Sequence, residues 1–78
     1  MPTVLRQGPY QCYFYSHEPF EPPHIHVDRD EQTVKFWLEP IALARNLGFS
    51  AVELGKIEKV VIDHQAFLLE KWHEHFGQ

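Results

Sequence analysis

The pair His24 and His26 is the feature of this sequence best suited to chemistry. The two histidines lie in the stretch Pro22-Pro23-His24-Ile25-His26-Val27-Asp28, where a proline pair ends a loop and a strand-like pattern follows. Because side chains alternate along a strand, we expect both imidazoles on one sheet face and Ile25 with Val27 on the other. Imidazole is an acid, a base and a metal ligand near neutral pH.

One chemistry that suits this pair is metal-independent RNA cleavage. One imidazole would take the 2′-hydroxyl proton, the other would protonate the leaving oxygen, and Lys35 or Arg6 would stabilise the phosphorane. If the third and fourth strands pair through a tight Asp30-Glu31 turn, these groups lie within reach of one another. His24, His26 and Lys35 are therefore the candidate catalytic residues.

The same pair also has the spacing of a metal site. Two imidazoles on one strand face can hold a divalent metal, with His17, Asp28 or a neighbouring strand as the source of a third ligand. No other cofactor is expected. A third interpretation is a solvated histidine pair that packs against neighbouring aromatic side chains.

Tyr13, Tyr15 and Trp37 add aromatic side chains to the face that we expect to carry the histidines. They could stack on unpaired RNA bases, with Arg6 as a further binding residue. They equally suit a protein–protein hot spot. The formal net charge is −4 over 78 residues, so the chain lacks the basic signature of a nucleic-acid binder and the protein-interface interpretation is favoured.

The composition predicts one globular domain that spans residues 1–78. Cys12 is the only cysteine, so we expect a reducing, cytoplasmic location, and we interpret Cys12 as a small core residue. No apolar run is long enough to span a bilayer, so no membrane partner is expected.

The hydrophobic periodicity predicts an α+β fold: a four-stranded antiparallel sheet with two C-terminal helices packed on one face. The predicted strands are Thr3 to Gln7, Tyr10 to Ser16, His24 to Arg29 and Gln32 to Leu38. The predicted helices are a short one, Ile41 to Leu47, and a long one that runs from Ser50 to about Phe76.

The long helix has the clearest start signal. Ser50 with Glu53 forms a capping box, and Phe49 with Leu54 forms a hydrophobic staple. His64 falls within the apolar stripe of this helix, so we expect a core histidine that is hydrogen-bonded to a backbone carbonyl or to a tyrosine. If the face assignment is inverted, His64 instead joins His24 and His26.

The chain also resembles, nearly end to end, a family of small uncharacterised bacterial proteins that is filed as a numbered domain of unknown function. The most specific match is Pro22-Pro23-His24-Ile25-His26-Val27; weaker matches are Met1 to Arg6, Tyr13 to Ser16, Lys35 to Leu38, Gly48 to Ser50, His64-Gln65 and Trp72 to Phe76. The resemblance implies the toxin half of a type II toxin–antitoxin pair, with a small antitoxin-like partner encoded nearby. It implies no catalytic residue.

The leading hypothesis is therefore a toxin component that acts on RNA through a histidine-bearing sheet face. The alternatives are a non-catalytic protein-interaction module and a small metal-binding protein that uses His24 and His26. The oligomeric state is left open. Expression with and without the genomic neighbour separates a toxin from an interaction module, because only a toxin arrests growth.

Overall fold

A computed structural model describes residues 3–15 and 20–77 of the chain. Its elements, in chain order, are β1 (Thr3–Gln7), β2 (Tyr10–Tyr13), β3 (His24–Arg29), β4 (Gln32–Leu38), β5 (Ile41–Leu47), α1 (Ala51–Asp63) and α2 (Gln65–Phe76). The strands form one sheet in the order β1-β2-β3-β4-β5, and each neighbouring pair is antiparallel. The α+β class, the antiparallel sheet and the presence of two helices are confirmed. The prediction of four strands is wrong, because the sheet has five.

Two tight turns set the register of the β1–β2 and β3–β4 hairpins. Gln7 faces Tyr10 across the Gly8-Pro9 turn, and Arg29 faces Gln32 across the Asp30-Glu31 turn. Gly8 has φ 58° and Asp30 has φ 54°, in the left-handed region that glycine and aspartate tolerate best. The predicted Asp30-Glu31 turn is therefore confirmed.

The segment Ile41–Leu47 is strand β5, and its prediction as a short helix is wrong. Its alanine, leucine and arginine residues favour a helix locally, but pairing with β4 outweighs that preference. Pro40, which precedes this segment, lies in the turn that joins Leu38 to Ile41. The Glu39–Pro40 peptide bond in this turn is cis.

The long helix predicted after Ser50 is divided in two at His64. Ser50 is the N-cap of α1, and its Oγ accepts a hydrogen bond from the Glu53 amide at 3.2 Å, so the predicted start is confirmed. His64 has φ −115° and ψ 14°, outside helical values, and ends α1. The Val60 carbonyl accepts hydrogen bonds from both the backbone amide and Nδ1 of His64. The predicted hydrogen bond to a backbone carbonyl is thus confirmed, but His64 is only half-buried and is not a core residue. It marks the break between the helices.

The helices cover one face of the sheet and enclose the core with it. The buried apolar residues are Tyr10, Cys12, Phe14, Ile25, Val27, Val34, Phe36, Leu38, Phe49, Ile57, Val61, Leu68 and Trp72. Ile25 and Val27 lie in this core, as strand alternation predicts. Neither helix of the described residues is long and apolar enough to cross a membrane.

A candidate active site on the open sheet face

Four side chains form a row across the sheet face that lies away from the helices. Tyr13 of β2 faces His26 of β3, His26 faces Lys35 of β4, and Lys35 faces Arg45 of β5. Residues directly opposite in antiparallel strands project from the same face. Tyr13, His26, Lys35 and Arg45, called the central row below, therefore share one surface.

A groove of about 490 Å³ lies over this surface and is called the groove below. The residues that line it are Tyr15, Glu21, His26, Thr33, Val34, Lys35, Trp37, Ala44, Arg45 and Leu47. Three members of the central row thus line the groove, whereas Tyr13 is buried and does not. The groove brings together an imidazole, two cationic side chains and two aromatic rings.

The imidazole of His26 is held between two tyrosine rings. The Tyr13 ring stacks on it with ring centroids 5.3 Å apart and an angle of 17° between the planes. The Tyr15 ring meets it edge-on at 4.8 Å. The exposed fraction of His26 is 9%, and the residue lines the groove. A ring packed on two sides has a fixed orientation, which an acid–base group requires.

The orientation of the Tyr13 side chain is fixed by a hydrogen bond to Asp28. Its hydroxyl donates to Oδ1 of Asp28 at 2.9 Å, and Thr33 Oγ1 donates to the same oxygen at 2.9 Å. Burial raises the pKa of Tyr13, and hydrogen bonds with Tyr15 and Asp28 raise it further. The phenol therefore stays protonated and acts as a donor that positions the ring under His26.

Lys35 is the cation next to His26. Its Nζ binds the carboxylate of Glu21 and lies 4.6 Å from the centroid of the Trp37 ring. Arg45 follows in the next strand, beside a register shift between Lys35 and Phe36 that makes Ala44 an extra residue of β5. A bulge of this kind redirects neighbouring side chains, and Ala44 and Arg45 both line the groove.

His24 is placed differently from His26. Its exposed fraction is 0%, and its Nδ1 donates to the Pro22 carbonyl at 2.9 Å. Its ring lies 4.8 Å from that of Trp72 in α2 and 5.1 Å from that of His26. The sequence predicts His24 on the sheet face opposite Ile25 and Val27, away from the helices, and this is wrong in one respect: Trp72 of α2 contacts the His24 ring at the end of the sheet where β3 begins. His24 is therefore a buried neighbour of His26 and is not among the residues that line the groove.

The remaining predicted residues lie around this centre. Trp37 lines the groove directly opposite His24 in the β3–β4 pair. Arg6 pairs with Gln11, which faces Asp28, so Arg6 is two strands, or about 10 Å, from β3. Arg6 is not among the residues that line the groove.

The metal hypothesis gains no third ligand from the described ranges. Within residues 3–15 and 20–77, no group of three histidine, cysteine, aspartate or glutamate side chains could hold a metal ion. His17, one of the third ligands suggested by the sequence, lies outside these ranges. Metal binding by His24 and His26 stays a prediction.

Cys12 and His64 lie away from the groove. Burial raises the pKa of the Cys12 thiol to about 11, so it is protonated near neutral pH and a poor nucleophile. The Nδ1 of His64 donates to the Val60 carbonyl at 2.8 Å, at the junction of the two helices. His64 therefore does not join His24 and His26 on the sheet face.

Comparison with known proteins identifies the family. The profile of the domain of unknown function DUF4160 matches residues 10–73. The chain belongs to the DUF4160 family. No curated protein and no solved structure matches it.

The matched DUF4160 region includes the central row and every residue that lines the groove. It begins at the first residue of β2, so Arg6 in β1 lies outside it. The family description names no activity.

Sequence reasoning missed two members of the site, Arg45 and Glu21. Arg45 was missed because its segment was interpreted as a helix, which would have removed it from the sheet face. Its one signal was a cation in a short segment of mostly apolar residues that follows a Pro-containing turn. Glu21 precedes the Pro22-Pro23 pair, and no local pattern indicates that it binds Lys35.

Proposed function

We propose that this DUF4160 protein is the toxin component of a type II toxin–antitoxin pair, and that it cleaves RNA in the groove with His26 as the acid–base group. The observation that carries this proposal is the central row. It sets an imidazole, an ammonium and a guanidinium side by side on one sheet face. Phosphodiester transfer needs these group types: a proton acceptor, and cations where negative charge develops.

Local charge supports an anionic substrate. The chain as a whole carries a formal charge of −4, which does not favour RNA. The groove differs from the whole, because Lys35 and Arg45 line it and Glu21 is the one acidic residue among its described lining. A cleft with an excess of positive charge attracts anions even when the protein as a whole is negatively charged.

The aromatic walls support unpaired RNA in particular. Tyr15 and Trp37 both line the groove beside the cations. Ring faces of this kind stack on bases that are not already stacked in a duplex, and each stacked base contributes about 1–3 kcal/mol. A single strand could thus place its phosphate near Lys35 and its bases on the two rings.

The proposed step is an internal transesterification. The 2′ oxygen of the ribose attacks phosphorus while His26 takes its proton, and the bond from phosphorus to the 5′ oxygen breaks. The Lys35 ammonium gives a proton to the leaving 5′ oxygen, and the Arg45 guanidinium stabilises the charge on the phosphorane. The products are a 2′,3′-cyclic phosphate and a 5′-hydroxyl, and solvent returns one proton from His26 to Lys35.

Growth arrest in cells tests the proposal. Expression of the wild type alone should arrest growth, and co-expression of the protein encoded beside it should relieve the arrest. His26→Asn should abolish the arrest, whereas the matched variant His75→Asn should not, because His75 is an exposed residue of α2 that packs on Phe14. Normal growth with wild-type protein present, or arrest by His26→Asn at equal protein level, would contradict the proposal.

One observation favours a second candidate, the non-catalytic interaction module. Phe20 is 98% exposed and lies next to Glu21 of the groove, and the exposed Leu47 lines the same groove. Exposed apolar side chains beside a groove are typical of a docking surface. Tight binding of the neighbouring protein without any growth arrest would support this candidate over a toxin.

A further inference from the structure

We infer that Lys35 and Arg45 form a phosphate subsite which the carboxylate of Glu21 occupies until RNA displaces it. The inference rests on the proposed function only in taking single-stranded RNA as the ligand. It assigns Glu21 a role as a resident anion that sets the affinity of the groove.

The first support is the pairing of two cations. Lys35 and Arg45 are directly opposite in the β4–β5 pair, and both line the groove. Like charges directly opposite in a sheet destabilise it, unless an anion lies between or above them. Glu21 supplies one carboxylate to Lys35, and within residues 3–15 and 20–77 no carboxylate forms an ion pair with Arg45. The pair therefore has room for a further negative charge.

The second support is the position of the ammonium group. Lys35 Nζ lies 4.6 Å from the centroid of the Trp37 ring, an arrangement in which the ring attracts the cation. The Lys35 side chain is 18% exposed, whereas the Glu21 side chain is 40% exposed. The cation is thus held within the groove and its anion lies further out. A phosphate oxygen can replace the carboxylate while Lys35 stays in place.

The third support is the relative strength of the two contacts. An ion pair between two partly exposed side chains contributes little to stability. A phosphodiester that contacts Lys35 and Arg45 together gains two charge-assisted hydrogen bonds. Displacement of Glu21 is therefore favourable overall, but each binding event includes the loss of its ion pair.

The test compares two variants that remove the same charge. Glu21→Gln frees Lys35, whereas Glu39→Gln removes one negative charge in the exposed β4–β5 turn and leaves Lys35 paired. Binding is measured by fluorescence anisotropy with a labelled single-stranded 2′-O-methyl RNA, which the proposed chemistry cannot cleave because the attacking hydroxyl is blocked. Thermal unfolding of each variant confirms that it is folded.

Glu21→Gln should tighten binding about fivefold relative to Glu39→Gln, the equivalent of one weak ion pair. The slope of log K against log salt should be steeper by about 0.7 for Glu21→Gln than for Glu39→Gln. In Glu39→Gln the carboxylate of Glu21 takes up a cation from solution when RNA displaces it, and in Glu21→Gln this uptake is absent. In a Lys35→Gln background, Glu21→Gln and Glu39→Gln should give equal affinities. Equal affinities in the wild-type background would overturn the inference.

The same measurements separate this inference from the proposed function. If the wild type cleaves no RNA but Glu21→Gln still tightens binding of the 2′-O-methyl RNA, the proposed RNA cleavage is wrong and the phosphate subsite is supported. If the wild type binds poly-glutamate while neither variant binds RNA, the groove takes an acidic protein segment and the RNA inference is overturned.

Discussion

His26 and Lys35 lie directly opposite each other in the β3–β4 hairpin, on the face of the sheet away from the helices. Opposite side chains in antiparallel strands have Cβ atoms about 5 Å apart, so a proton acceptor and a cation are held within reach of one phosphate group. The Asp30-Glu31 turn joins these two strands at Arg29 and Gln32 and fixes that register. The relationship is therefore set by the hairpin itself and needs no flexible loop.

The two histidines should differ in what they contribute to stability. His24 is fully buried and bonded to the Pro22 carbonyl, so His24→Ala leaves a cavity and an unpaired acceptor and should lower the free energy of unfolding by about 2–4 kcal/mol. His26→Ala loses its contacts with two rings and should cost about 1 kcal/mol. Urea unfolding at neutral pH measures both. A larger loss for His26→Ala than for His24→Ala would show that the burial of His24 does not make it the more important of the two histidines for stability.

Ser50→Ala should lower the free energy of unfolding by about 1 kcal/mol, because it removes the side-chain acceptor for the Glu53 amide. The urea midpoint measures the loss. Ser50→Asp is the matched control, since it keeps an acceptor at the N-cap and should unfold at or above the wild-type midpoint. A midpoint for Ser50→Ala equal to that of the wild type would mean that the cap contributes nothing.

Glu53 should make the free energy of unfolding depend on pH in the acid range. Its carboxylate accepts hydrogen bonds from the Arg29 guanidinium and the Tyr10 hydroxyl, and these contacts lower the pKa of Glu53 below its usual 4.5. A carboxyl whose pKa is lower in the folded state stabilises the fold above its unfolded pKa, and that stabilisation is lost as pH falls through the folded pKa.

Glu53→Gln should therefore be less stable than the wild type at pH 7, and the difference should shrink below about pH 4 as the wild-type carboxyl is protonated. Urea unfolding across this range tests it. The exposed Glu58 of α1 provides the control Glu58→Gln, for which we expect a smaller difference. A Glu53→Gln deficit that stays constant down to about pH 3 would exclude the ionised carboxylate as its cause.

Local signals predicted the parts of the fold that depend on neighbouring residues. The Asp30-Glu31 turn, the alternation of Ile25 with His26 and the cap at Ser50 each follow from a few consecutive residues. These signals were sufficient to place His26 and Lys35 on one face. They were sufficient because register in a hairpin is a local property.

Other parts of the site depend on contacts that are distant in sequence. β5 is a strand only because it pairs with β4, against the helix preference of its own residues. Arg45 joins the central row through that pairing. Likewise, His24 is buried because Trp72, from the last helix, packs on its ring. Strand alternation placed His24 on the same strand face as His26, but it carried no information about what covers that end of the sheet.

Cleavage of a single-stranded RNA by the purified protein, with the product ends identified, tests the central claim most directly. The wild type should yield 2′,3′-cyclic phosphate and 5′-hydroxyl ends, and should not cleave the same RNA when the 2′-hydroxyl at the cleavage site is replaced by hydrogen. His26→Asn should reduce the cleavage rate by about 10²–10⁴-fold while His75→Asn cleaves at the wild-type rate. Cleavage by folded His26→Asn at the wild-type rate, or cleavage of the deoxy-substituted RNA, would contradict the account.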